Sequence, residues 1–121
     1  MERADEREER GVHNPRVVDL ITEDDATGEV VLVMLEQRPW GSQPEQLRQL
    51  EAKFNSYLGY VLEGHLSAQY PQYADKPVRF QIDCASNPRP EDRPFFTAMS
   101  NFAAVEHIRM VVAVMQPTGP P

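Results

Sequence analysis

The residues from Ser42 to Gly64, SQPEQLRQLEAKFNSYLGYVLEG, form the pattern of one amphipathic helix. With Phe54 as the reference and about 100° per residue, the apolar side chains fall within about 60° of one direction. They are Leu47, Leu50, Tyr57, Leu58 and Val61, with Leu62 at the margin. Ser42 followed by Glu45 is typical of a capping box, and Gly64 is typical of a left-handed C-cap. A helix with such a face must bury it, so we expect the other apolar segments to form a sheet against it.

Four other segments have the composition and length of β-strands. In chain order they are Arg16–Thr22, Glu29–Glu36, Val78–Cys84 and Arg109–Met115. The second and the fourth are apolar on both faces, so both are predicted to lie inside the sheet. The third alternates between apolar and polar residues, and the first is interrupted by Asp19, so these two are predicted to be edge strands.

A second helix is predicted from about Arg93 to Val105, with Asp92 as its N-cap. Its apolar face is predicted to bury Phe95, Phe96, Met99, Phe102 and Ala103. Continuing the same phase would place Glu106 in the core, so we expect the helix to end before that residue.

The predicted element order is ββαβαβ, which favours an α+β fold, a two-layer α/β sandwich with a four-stranded mixed sheet and two helices. Crossovers between parallel strands are right-handed, so two crossovers in the same direction place both helices on one face of the sheet. The preferred strand order is first, second, fourth, third. The return crossover in that order leaves open the alternative that one helix lies on the other face.

Residues 1–13 are rich in charged side chains and are predicted to be a disordered acidic tail. Residues 14–115 are predicted to form a single domain, which is the usual outcome for a chain of 121 residues. Residues 116–121, QPTGPP, are predicted to be a flexible Pro-rich C-terminus.

The formal net charge of −7 repels phosphate backbones and anionic membrane surfaces, so neither nucleic acid nor a membrane is expected as a partner. No stretch approaches the roughly 20 apolar residues of a membrane-spanning helix, and the first residues lack the pattern of a signal peptide. We therefore expect a soluble cytoplasmic protein.

A set of residues in the first two thirds of the chain carries a family resemblance. They are Val18–Ile21, Gly28–Leu32, Trp40, Leu50, Lys53, Asn55, Tyr57, Leu58, Gly64, Leu66, Tyr70 and Pro71. In these positions the chain resembles a family of small bacterial proteins known only as a domain of unknown function. The resemblance spans roughly Asn14 to Ile82 and implies the same α+β architecture. It implies no activity, and no catalytic residue is carried over from it.

The residue types that carry chemistry do not form a recognisable motif. A nucleophilic Cys84 would need His65 or His107 within hydrogen-bond reach, and a buried cysteine that packs as a small apolar side chain is the more common case. The histidines are widely separated and no Cys/His pair has the spacing of a zinc site, so no metal is predicted. The glycines are too far apart for a phosphate-binding loop, and no cofactor is predicted.

The first functional hypothesis is a small non-enzymatic protein-interaction module that self-associates as a homodimer. The outward row of the first helix, Ala52, Ser56 and Gly59 next to Tyr60, removes side-chain bulk where long polar residues are usual. Such a row would allow another chain to approach closely, although a plain solvent-facing surface explains it equally well. The sheet face that bears Arg79, Gln81 and Asp83 is the other candidate contact surface.

The alternative hypothesis is a small-molecule-binding sensor or an enzyme. Its site would lie near the end of the third strand, because ligands often bind at the carboxyl ends of strands in open α/β sheets. The residues predicted to line that pocket are Asp83, Cys84, Asn87 and His107. The absence of a catalytic motif makes a non-enzymatic role the preferred interpretation.

Overall fold

The computed structural model describes residues 9–115, so most of the predicted tail and the whole predicted C-terminus lie outside the described residues. The fold is α+β with a four-stranded mixed sheet, as predicted. The elements are β1 (Leu20–Asp24), β2 (Glu29–Glu36), α1 (Gln46–Leu62), α2 (His65–Gln69), β3 (Val78–Cys84), α3 (Arg93–Val105) and β4 (Arg109–Val114), with short 3-10 turns at Pro71–Tyr73 and Pro90–Asp92.

The strands lie in the order β1-β2-β3-β4, with β1 antiparallel to β2 and the other two pairs parallel. The predicted order, with the fourth strand between the second and the third, is therefore wrong. Each crossover adds its new strand at the growing edge of the sheet, and both right-handed crossovers place their helices on the same face. The alternation in β3 reflects a sheet face without a helix among the described residues, and does not mark an edge.

The core lies between the helices and the facing side chains of the sheet. It contains Val12, Val30, Leu32, Met34, Trp40, Leu50, Phe54, Tyr57, Leu58, Leu66, Phe80, Ile82, Cys84, Met99, Ala103 and Ile108. Phe80 lies at its centre, with its ring edge-on to Phe54 at 5.9 Å and to Tyr57 at 5.6 Å between ring centroids. Val12 belongs to this core although the predicted domain begins two residues later.

The first helix begins at Gln46, and the predicted capping box at Ser42 does not form. The reason is the side chain of Gln46, which turns back onto the preceding loop. Its Oε1 accepts a hydrogen bond from the Gly41 amide at 2.7 Å, and its Nε2 donates to the Pro39 carbonyl at 3.2 Å. The loop thus packs against the start of the helix. At the other end Gly64 adopts the predicted left-handed conformation, with φ of 88°.

The second long helix has the predicted bounds, but two details differ. Asp92 makes no capping hydrogen bond, because its carboxylate accepts from the guanidinium of Arg89 at 2.9 Å. Phe102, which was predicted to be buried, is 61% exposed. The helix ends at Val105, before Glu106, as predicted.

Candidate functional site

The four residues predicted to line one pocket do not come together. Asp83 and Cys84 end β3, and Asn87 follows them at the carboxyl edge of the parallel strands. His107 precedes β4, and the first residue of that strand pairs with Arg79 near the start of β3. Because β3 and β4 are parallel, His107 lies at the end of the sheet where these strands begin, and Cys84 lies at the end where they finish. The structure therefore does not assemble this pocket.

Cys84 is completely buried in the core. Its Sγ donates to the Ala113 carbonyl at 3.4 Å, and burial raises the pKa of the thiol. A nucleophilic cysteine needs a lowered pKa and access to its substrate. Cys84 has neither, and it packs as a small apolar side chain.

The carboxyl edge of the sheet holds a cavity of about 220 Å³ at the end of β2. Glu36, Arg38 and His13 in its lining already have side-chain partners. The buried carboxylate of Glu36 accepts from both Nε and Nη2 of Arg38, at 2.9 and 2.7 Å, and the His13 ring contacts the Glu9 carboxylate at 2.9 Å. No group of three or more His, Cys, Asp or Glu side chains within residues 9–115 is arranged to hold a metal ion.

A buried ion pair between Asp19 and Lys53, which was not predicted from the sequence, is the most unusual polar feature of residues 9–115. Both side chains are completely buried and their charged atoms lie 2.8 Å apart. Burial is the main cause of a lowered Lys53 pKa, and the carboxylate of Asp19 opposes that shift. Asp19 was predicted to mark the first strand as an edge strand, and β1 does lie at an edge of the sheet. Asp19 itself lies just before β1 and is buried against Lys53.

The hydrogen bonds around this pair are complete. The Lys53 ammonium donates to the carbonyls of Asn14 and Val17, both at 2.6 Å, in addition to Asp19. The Asp19 carboxylate also accepts from the amides of Gly11 and Leu35, both at 2.9 Å. An ammonium has three donors, and all three are used, so Lys53 has no free donor for a substrate. The network holds the segment before β1 against α1 and β2.

The hydroxyl of Tyr57 extends the network. It accepts from the Asp19 amide at 2.8 Å and donates to the Val33 carbonyl. Burial raises the pKa of this phenol, so it stays protonated. Tyr57 thus joins α1 to the segment before β1 and to β2 through one side chain.

The predicted interaction row lies beside a groove. Ala52 and Ser56 are exposed, while Gly59 and Tyr60 are half-buried. The last three of these residues and the segment at 15–18 line a groove of about 430 Å³. The Tyr60 hydroxyl donates to Gln69 Oε1 at 2.7 Å, which fixes this ring at the side of the groove.

A second groove lies between the two long helices and is mostly apolar. It measures about 220 Å³ and is lined by Glu51, Phe54, Asn55, Phe95, Ala98, Met99 and Phe102. The ring of Phe102 forms one rim, and the ring of Phe54 contacts it at 6.4 Å between centroids. Despite this contact, most of the Phe102 side chain is exposed.

A charged cluster lies on the sheet face without helices. Glu29 accepts from Nε and Nη2 of Arg109, at 2.9 and 2.8 Å, and from Arg79 at 2.9 Å. Arg79 also donates to Asp24 at 2.9 Å. The two acids and two arginines balance, so the cluster offers no net charge for binding an ion.

This cluster predicts an acid-dependent loss of stability. Chiefly through its hydrogen bond to Arg109, the pKa of Glu29 falls from 4.5 to about 2. Between these values the unfolded chain binds a proton that the folded chain does not, so the free energy of unfolding falls as the pH is lowered from about 4.5 toward about 2. Glu29→Gln is expected to flatten this part of the pH dependence, measured by urea unfolding at a series of pH values. Glu51→Gln, at an exposed site on α1, is the control and should leave the slope unchanged; equal slopes for all three proteins would contradict the prediction.

No helix within residues 9–115 is long and apolar enough to cross a membrane. In comparisons with known proteins, a family model described as a family of unknown function (DUF6572) matches residues 11–116. No curated protein and no solved structure matches the chain.

Proposed function

The chain belongs to this family of unknown function, and we propose that it is a small non-enzymatic protein-interaction module that self-associates as a homodimer. The observation that carries the proposal is the exposure of large apolar side chains in the last helix and strand. Phe102, Val105, Val112 and Met115 are 61%, 71%, 36% and 42% exposed. Single exposed apolar residues are ordinary, and Phe102 borders the separate groove beside α1. The proposal therefore rests on Val112 and Met115, which are exposed in and just after the edge strand β4.

The state of the reactive groups supports a role without catalysis. The thiol of Cys84 is buried, and the ammonium of Lys53 is saturated by its three acceptors. An active site needs groups with a free donor, acceptor or electron pair that faces a substrate. These two groups instead serve the core.

The row Ala52, Ser56, Gly59 and Tyr60 stays a candidate contact surface. A β-carbon added at Gly59 would meet only the side chain of Glu63, at 3.6 Å, so packing within the described chain does not require glycine. A glycine in a helix interior costs about 1 kcal/mol relative to alanine. A close approach by a second chain would explain why this cost is tolerated.

Self-association is tested by the mass of the full chain in solution. Sedimentation equilibrium and light scattering from low to high micromolar concentration are expected to show a monomer that converts to a dimer. A monomer at every concentration would contradict the proposal. Gly59→Arg then tests the row, because loss of the dimer in that variant would locate the contact there, and an unchanged dimer would exclude it.

A further inference from the structure

We infer that the second copy docks on the outer edge of β4, so that two β4 strands pair antiparallel about Val112. The two four-stranded sheets would then form one sheet of eight strands. This inference rests on the proposed self-association and adds the place and the register of the contact.

The outer side of β4 offers a row of backbone hydrogen-bonding groups that no other described strand pairs with. Within residues 9–115 this strand pairs only with β3. The Met115 amide donates to the Cys84 carbonyl at 2.7 Å, so the odd-numbered residues of β4 direct their backbone groups to β3. Alternation along a strand turns the N–H and C=O groups of Met110, Val112 and Val114 outward. Such a row is a template for another strand.

The outward groups are self-complementary in one register. A twofold axis at Val112 places this residue opposite its own copy, and Met110 opposite Val114 of the second copy. Each of these three pairs exchanges two hydrogen bonds in an antiparallel ladder, which gives about six bonds across the junction. No charged residue occurs from Met110 to Met115, so no like charges meet.

The other edge of the sheet is unsuited to the same pairing. β1 has only five residues and ends in Glu23 and Asp24. Glu23 pairs with Lys76 at 3.0 Å, and Asp24 pairs with Arg79 at 2.9 Å. Charge is a usual protection of an edge strand, and β4, which is one residue longer than β1, carries none from Met110 to Val114. The comparison favours β4 as the edge that accepts a second copy.

The helix above β4 leaves room for the second copy. Phe95, Ala98 and Phe102 face the groove beside α1. The helical repeat therefore turns Thr97, Ser100 and Ala104 to the opposite side, toward the outer edge of the sheet. A twofold axis through the strand junction keeps both α3 helices on one face of the joined sheet. Their small side chains would allow the two helices to approach across the axis and cover Val112.

The decisive variant is Val112→Pro, because proline removes only an N–H that points away from β3. Proline is tolerated on an edge strand when its missing N–H would face solvent. We expect the variant to keep the far-UV circular dichroism of the wild type and to dimerise at least about tenfold more weakly, a change of about 1.4 kcal/mol. Thr22→Lys on β1 is the matched control and should dimerise like the wild type.

Amide hydrogen exchange of the wild type gives a test that needs no variant. The amides of Met110, Val112 and Val114 are expected to exchange more slowly as the protein concentration rises. A wild-type dimer whose exchange at these amides does not depend on concentration would overturn the edge pairing and leave the proposed self-association standing. A wild type that stays monomeric would overturn both.

Discussion

Replacing Lys53 with methionine is expected to lower the free energy of unfolding by about 3–5 kcal/mol, because it leaves a buried carboxylate without its cation. In the native chain the ammonium is completely buried and bonds to Asp19 and to the carbonyls of Asn14 and Val17. Methionine fills most of the volume but pairs with none of these groups. Urea unfolding followed by circular dichroism measures the loss.

The control is Arg48→Met, which makes the same kind of change at an exposed position of α1. Exposed substitutions usually change stability by no more than about 0.5 kcal/mol. The double variant with Asp19→Asn tests the pairing itself. Its loss should be smaller than the sum of the two single losses, because the residues are in direct contact. A Lys53→Met variant as stable as Arg48→Met would contradict the assigned role.

Replacing Phe80 with alanine is expected to cost about 3–5 kcal/mol of folding stability. The ring is completely buried and contacts the rings of Phe54 and Tyr57, so its removal leaves a cavity in the centre of the core. Phe102→Ala removes the same atoms from a mostly exposed site on α3 and should cost less than about 1 kcal/mol. Equal losses in the two variants, measured by the same urea unfolding, would contradict the core assignment.

The elements whose sequence pattern favours one kind of secondary structure were predicted correctly. β2 is apolar at consecutive positions, β3 alternates, and α3 lies between a loop rich in proline and an acidic residue that would break its apolar face. Their bounds in the structure agree with those predictions. The position of β4 in the sheet could not be predicted in the same way. An apolar strand has the same composition whether a neighbouring strand covers its edge or the edge is left open.

The ion pair was missed because a charged residue is assigned to solvent by default. Asp19 and Lys53 are far apart in the sequence, and only the folded chain brings their charges together. A signal was nevertheless present. Lys53 lies three residues after Leu50 and four before Tyr57, on the stripe that α1 buries. Asp19 stands inside an otherwise apolar run, where a buried charged partner is a reason for a carboxylate.

The predicted pocket does not form, and the predicted topology already contained the reason. The third and fourth strands were predicted to be parallel. The end of one parallel strand lies at the opposite end of the sheet from the start of its neighbour. Cys84 ends β3 while His107 precedes β4, so the predicted topology and the predicted pocket were incompatible. Asp83, Cys84 and Asn87 lie near one edge, as their closeness in the chain requires.

The parallel strand pairs also bear on how fast the chain folds. β1 and β2 are joined by a short turn, so their pairing closes only a small loop. Val30 pairs with Val78, so β2 and β3 can pair only after the whole segment containing α1 has been brought back. Contacts between distant segments slow folding, because the entropy of loop closure is lost before the contacts form. We therefore expect the β1–β2 hairpin to form early and the parallel part of the sheet to limit the folding rate. Until β4 pairs with it, β3 would expose an unpaired edge.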